Sequence, residues 1–295
     1  MFEGTTERRI ALGEAEIYCR IGGAGPPLLL LHGYPQTHVI WHRVAPELMR
    51  RFTLVMPDLR GYGASRGPAP DAAHRNYSKR AMAQDMVALM AKLGHERFLL
   101  AGHDRGARVG YRLCLDHPGR VRRFAALDIV PTLDVWEGIT ADKALASYHW
   151  SFLAVPAPVP ERLIGADPEF YIRHLLERWA GRFEALDPAA VAAYIGQFRD
   201  PAVIAATCAD YRAGASVDRT DDAEDRKRGA KLACPLLLIW GRGYLSSKTA
   251  SPLAVWRRWA EDAREVGLDC GHFVAEEEPA ECAAALGDFF AEALP

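Results

Sequence analysis

Gly102-His103-Asp104-Arg105-Gly106 follows the apolar run Phe98-Leu99-Leu100-Ala101 and precedes a helix-like segment, Arg105 to Leu115. A strand, a sharp turn with glycine two residues either side of its centre, and then a helix is the setting of a nucleophile elbow. Small residues are needed there because the central residue is strained and the next helix packs close behind it. The central residue is Asp104, where serine is usual. A serine that attacks an acyl carbon makes an ester that water reopens. A serine that displaced a group from saturated carbon would make an inert ether. A carboxylate displacing the same group makes an ester of its own side chain, open to water at its own carbonyl. Asp104 is therefore expected to be a nucleophile for alkyl carbon.

Such a nucleophile needs a base to activate water and an acid to orient the base. Of the ten histidines, His272 in Gly271-His272-Phe273 stands after the last expected strand and before the final helix, which keeps the chain order nucleophile, acid, histidine. The common place for the acid is the loop after the strand at 235–240, but Gly241-Arg242-Gly243-Tyr244-Leu245 offers no carboxylate. Asp128, at the end of the strand after the elbow helix, is the core position that could reach the same imidazole. Asp134 is its rival, without a strand end to fix it. The loop His32-Gly33-Tyr34-Pro35-Gln36 also follows a buried strand. There the backbone N–H of Tyr34 is expected to join that of Arg105 around a developing negative oxygen. Arg105 and Arg108 share one face of the elbow helix. Pointed into a pocket, they would grip a carboxylate, at least one of them in bidentate fashion, and would depress the pKa of Asp104.

These groups need a scaffold. Residues 6–20 alternate weakly, as an opening hairpin would, and Leu28-Leu29-Leu30-Leu31 reads as a fully buried parallel strand. A helix from about Trp41 to Arg50 leads to the strand Thr53-Leu54-Val55-Met56. Ser78 is placed to cap a helix carrying Met82, Met86, Leu89, Met90 and Leu93 on its core face. Phe124-Ala125-Ala126-Leu127 is a further strand. Strand–helix alternation predicts an α/β fold with a mostly parallel sheet and right-handed crossovers. From Pro131 to Arg226 no strand is evident, and aromatics such as Trp136, Tyr148, Trp150, Trp179, Tyr194 and Tyr211 fall on helical stretches. The chain is thus read as a first core part over 1–130, an inserted helical cap over 131–226 and a second core part over 227–295. The charged run Asp221 to Arg228 reads as a solvated connector. Core pattern resumes at Pro235 to Trp240, followed by a helix near Pro252–Ala260 and a strand near Arg264–Gly267. Pro279 opens the last helix, with Glu276, Glu277 and Glu278 suited to its N-terminus.

Composition excludes several classes. Lys+Arg 36 against Asp+Glu 38 gives a net charge of -2, no case for nucleic acid or an anionic membrane. No apolar run approaches the roughly 18 residues of a membrane span, and no signal peptide is announced. The six cysteines form no C-x-x-C pair and are expected to be reduced, in a cytoplasmic protein. No metal and no cofactor is expected.

Taken together, His32–His38, Gly102–Arg108, Leu127–Thr132, His149-Trp150, Asp210–Gly214 and Gly271–Phe273 resemble the haloacetate (fluoroacetate) dehalogenase family of capped α/β hydrolases, from about residue 10 to 290. The resemblance implies Asp104 as nucleophile, His272 as base, Asp128 as orienting acid, and Arg105 and Arg108 on the substrate carboxylate. It also implies His149, Trp150 and Tyr211 around the leaving halide, Trp179 and Tyr148 lining the pocket, a small-molecule haloacid as substrate, and a homodimer. Tyr34 stands where phenylalanine is expected, and Tyr148 where tryptophan often precedes the histidine. The expected reaction turns short 2-haloacids into 2-hydroxyacids plus halide through an aspartyl ester. An epoxide hydrolase using the same aspartate is the alternative, with Tyr148 and Tyr211 as proton donors; a catalytically silent binding protein of this fold is a third.

Overall fold

Eight strands carry the core of the computed structural model, which describes residues 1–245 and 251–293. They are β1 (Thr5–Leu12), β2 (Ala15–Gly22), β3 (Pro27–Leu31), β4 (Thr53–Pro57), β5 (Phe98–His103), β6 (Val121–Leu127), β7 (Leu236–Gly241) and β8 (Ala263–Leu268). In space they run β1-β2-β4-β3-β5-β6-β7-β8. The β1–β2 hairpin is antiparallel and joins β4 antiparallel, and all remaining pairs are parallel. Register matters more here than strand number. Leu31 lies opposite Gly102, His103 opposite Leu127, and Leu127 opposite Ile239. The loops leaving β3, β5, β6 and β7 therefore start from one edge, where ligands of open α/β sheets bind.

Helices cover both faces. α1 (Ala45–Leu48), α2 (Lys79–Lys92) and α3 (Arg105–Asp116) belong to the first core part. The insertion holds α4 (Thr132–Glu137), α5 (Ala141–Ala146), α6 (His149–Ala154), α7 (Val159–Ala166), α8 (Pro168–Trp179), α9 (Pro188–Gln197), α10 (Pro201–Ala215) and α11 (Val217–Arg228). α12 (Pro252–Trp256), α13 (Val274–Glu277) and α14 (Pro279–Ala291) complete the chain. Alternate strand residues feed two apolar clusters. Leu29, Leu31 and Leu100 pack with Met82, Met86 and Leu113, whereas Leu28, Leu30 and Leu99 pack with Leu286 and Phe290. Three insertion helices start by one device: Asp167, Asp187 and Asp200 each cap a helix whose first residue is proline.

Some expected elements differ. The helix expected over Trp41–Arg50 is a 3₁₀ turn, His38–Trp41, followed by the single turn of α1, because Pro46 restarts the chain there. The helix near Pro252 stops at Trp256. Asp221–Arg228 is not a solvated connector. It is the larger, C-terminal part of α11, and Asp218, Asp222 and Asp225 on that helix are buried. Arg112 of α3 pairs with Asp222 at 2.9 Å and Asp225 at 2.5 Å. Apart from Met1, the large exposed apolar side chains among the described residues, Ile139, Leu145, Val159, Leu163 and Phe170, lie on the segment between β6 and β7. No described helix is long and apolar enough to cross a membrane.

Candidate active site

Strand ends deliver the reacting groups to one point. Asp104 sits between β5 and α3 at φ 44° and ψ -114°, a conformation of the kind that costs on the order of 1–3 kcal/mol. The flanking glycines make the turn possible, since a Cβ on Gly102 would lie 2.7 Å from the Ala107 backbone and one on Gly106 2.3 Å from the His32 carbonyl. The Tyr34 N–H donates to Asp104 Oδ1 at 3.1 Å. The Arg105 N–H, the second donor expected at this oxygen, makes no hydrogen bond to it among the described residues. Burial would raise the Asp104 carboxyl, but His272, Arg108 and Arg105 together hold it down at about 2. The group is a ready anion.

His272 Nδ1 lies 2.5 Å from Asp128 Oδ2, while Asp128 Oδ1 accepts the Gly241 N–H at 2.9 Å. The histidine's main chain is fixed from two sides. Its N–H donates to Trp179 O at 2.9 Å, and its carbonyl accepts from His103 Nε2 at 2.8 Å. Burial lowers His103 to about 3, so His103 serves this bond as a neutral ring. Asp134, the rival acid, is committed elsewhere: it pairs with Arg226 and Arg258 and accepts from Trp259 Nε1.

A cavity of about 730 Å³ opens over these groups and is lined by Asp104, Arg108, His149, Trp150, Trp179, Tyr244 and His272, among others. Arg108 is anchored through Nη1 to Val130 O at 2.9 Å and Thr132 Oγ1 at 3.2 Å. Its Nε is buried without a partner, and Trp150 lies 4.6 Å beneath its guanidinium. Arg105 departs from expectation. Its Nε and Nη2 form a bidentate pair with Asp210 at 2.9 and 2.6 Å, and Nη1 alone is left unpartnered. Arg105 is fully buried and absent from the cavity wall, so it is no free fork for a carboxylate. His149 and Trp150, adjacent at the start of α6, flank Tyr211, each ring 5.9 Å from it. Burial lowers His149 to about 3, leaving a neutral ring whose Nδ1 is buried and unpartnered. Burial and the Asp104 charge keep the Tyr211 phenol well above its ordinary range. Tyr148, expected on the wall, is not on it and packs against Phe152 and His174 instead; Tyr211, expected at the halide, is likewise not among the wall residues and packs against His149 and Trp150.

The alpha/beta hydrolase fold family matches residues 26–279. A fluoroacetate dehalogenase from Burkholderia sp is 44% identical over 99% of this chain and 96% of its own. The chain belongs to the haloacetate dehalogenase family of the α/β-hydrolase superfamily. A solved α/β-hydrolase-fold protein from Nostoc sp PCC 7120 is 50% identical, covers 98% of this chain and 99% of its own, and superposes with a TM-score of 0.95. A soluble epoxide hydrolase from Corynebacterium sp. (strain C12) is 31% identical over 87% of each chain.

Within this family member, the sequence pointed to Trp179 as pocket lining only and missed Tyr244, Glu276 and Glu277. Trp179 Nε1 is a buried donor with no partner, which makes the residue more than an apolar wall. Its ring lies 4.4 Å from that of His149. Tyr244 lays its ring 4.4 Å from that of His272, where the sequence showed only a loop lacking a carboxylate. Glu276 and Glu277, read only as suiting the N-terminus of the last helix, are buried.

Proposed function

We propose that the protein hydrolyses short 2-haloacids to 2-hydroxyacids plus halide, with fluoroacetate and chloroacetate among its substrates. The observation that carries this reading is the Arg108 edge on the cavity wall beside the ionised Asp104. An anionic substrate needs a cation there; an epoxide does not. Asp104 displaces the halide in line, and the carbonyl oxygen of the resulting ester is the Oδ1 held by the Tyr34 N–H. His272, oriented by Asp128, then takes a proton from the water that attacks that ester. His149, Trp150 and Trp179 on the wall offer N–H donors to the departing halide, and Tyr211, packed against the first two, adds its O–H. Arg105, tied to Asp210, adds positive charge with one free Nη1.

The epoxide alternative draws support from the 31% identical relative. It needs two cap tyrosines on the cavity, and neither Tyr148 nor Tyr211 is among the residues that line it. Halide release from fluoroacetate and chloroacetate, run beside diol formation from styrene oxide, separates the two: halide without diol supports the proposal, and diol without halide overturns it. The homodimer expected from the family would cover Leu145, Leu163 and Phe170, which are 75%, 61% and 68% exposed. Its solution mass is the check.

A further inference from the structure

We infer that Glu277 is a positioning residue for the ester-hydrolysis half of the reaction, clamping the loop that carries His272 to the insertion segment behind Trp179. The inference rests on the function proposed above. Glu277 Oε2 accepts from the N–H groups of Gly271 at 3.0 Å, Gly181 at 2.8 Å and Arg182 at 3.0 Å. Its Oε1 accepts from the Phe273 N–H at 3.1 Å. The residues on both sides of His272 therefore hang from one carboxylate, and the N–H between them, that of His272 itself, goes to Trp179 O at 2.9 Å. Arg182 Nη2 returns to Glu277 O at 3.0 Å. Glu277 is only 4% exposed.

Charge and space agree. A carboxylate accepting several backbone N–H bonds in a buried place has no uncharged substitute of the same shape, because an amide would turn a donor toward a donor. The two backbones it joins are in direct contact, with a Cβ on Gly271 falling 2.1 Å from Gly181 N and one on Gly181 falling 2.6 Å from Gly271 N. Glu277 touches none of the reacting atoms and is absent from the cavity wall. Its effect passes through His272, which acts on the ester, and through the Trp179 segment. Loosening the clamp should therefore slow the step that needs the imidazole in place more than the displacement by Asp104.

The test compares wild type with Glu277→Gln, and with Gly181→Ala as an approach from the insertion side that leaves the carboxylate intact. Halide burst and decay of the Asp104 ester are followed in single turnovers of chloroacetate. We expect ester decay to slow about tenfold or more in both variants while the burst changes by less than about threefold, so that the ester accumulates in steady state by mass spectrometry. Equal slowing of both steps, or unchanged ester decay, overturns the inference and leaves Glu277 a purely structural residue. A readout independent of turnover is the far-downfield proton resonance of His272 Nδ1–H in its bond to Asp128. It should broaden or shift in both variants at temperatures where they stay folded, and an unchanged resonance contradicts the claim. If wild type itself forms no ester, the proposed function falls, and the resonance alone decides the positioning role.

Discussion

Asp210 holds Arg105 with both carboxylate oxygens, Oδ2 to Nε at 2.9 Å and Oδ1 to Nη2 at 2.6 Å, and neither residue reaches solvent. Lys79 Nζ joins Oδ1, and the Tyr62 hydroxyl donates to Oδ2 at 2.7 Å. One carboxylate from α10 thus pairs with a cation of α3 and with one of α2, and the latter also lies 3.6 Å from Asp218. Asp210→Asn would leave the buried Arg105 without its counter-charge, while Lys79 keeps Asp218 at 3.6 Å; removing one partner of a buried pair costs about 3–5 kcal/mol. Denaturant midpoints should show that loss. Lys79→Met should cost less, because Arg105 still answers Asp210.

The acid limb of stability follows from the same groups. Burial opposes ionisation of Asp210, but Arg105 and Lys79 hold its carboxyl well below the usual range, and Asp104 is likewise held down at about 2. Carboxyls with depressed folded values contribute stability above their unfolded value, and this is lost as pH falls through the folded one. Unfolding free energy should therefore fall steeply below about pH 4. The halide burst should stay flat from pH 8 down to about 4, because Asp104 remains ionised. A burst with a midpoint in the ordinary carboxylate range would show that the charges around Asp104 do not act as described.

Glu276 behaves in the opposite sense. Burial pushes its carboxyl up to about 8, despite hydrogen bonds from Tyr194 and Gln36. The folded state then binds a proton that the unfolded chain gives up near 4.5, so stability from this group is present at low pH and lost as pH rises through about 8. Glu276→Gln should flatten the stability profile between pH 5 and 8, read from thermal unfolding. Parallel profiles for wild type and variant would contradict the assignment.

Much of this was legible in the sequence for a physical reason. Buried strands are continuous apolar runs, elbows need glycines, and strand ends in an α/β sheet all point one way, so Asp104, Asp128 and His272 could be placed from local pattern and chain order. Charges were less legible. Arg105 and Arg108 share a helix face, but which of them meets the cavity depends on Asp210, more than a hundred residues away. The run at Asp221–Arg228 has the composition of a solvated segment, and only Arg112 and Tyr111 across the α3–α11 contact make it a buried ion cluster. Tyr148 and His149 are neighbours in sequence, yet successive helical residues diverge by about 100°, and only one of the two faces the cavity.

The donors around Tyr211 bear on the choice of halide. Fluoride leaves poorly and needs donors already in place, whereas chloride needs less help. Removing one preorganised donor costs on the order of 10²–10³ in rate at comparable sites. Trp150→Phe, Tyr211→Phe and Trp179→Phe should each depress fluoroacetate turnover by at least about tenfold more than chloroacetate turnover. Equal losses on both would make these residues shapers of the pocket only.

The covalent role of Asp104 is tested most directly by a single turnover in oxygen-18 water, with enzyme in excess over chloroacetate and the peptide containing Asp104 analysed by mass spectrometry. In the proposed mechanism Asp104 supplies the oxygen that leaves in glycolate, and water restores the carboxylate at its own carbonyl carbon. The label should therefore appear in Asp104 while the first glycolate stays unlabelled. Label entering glycolate directly, with Asp104 unlabelled, would mean that water attacks the substrate carbon and that Asp104 is not the nucleophile.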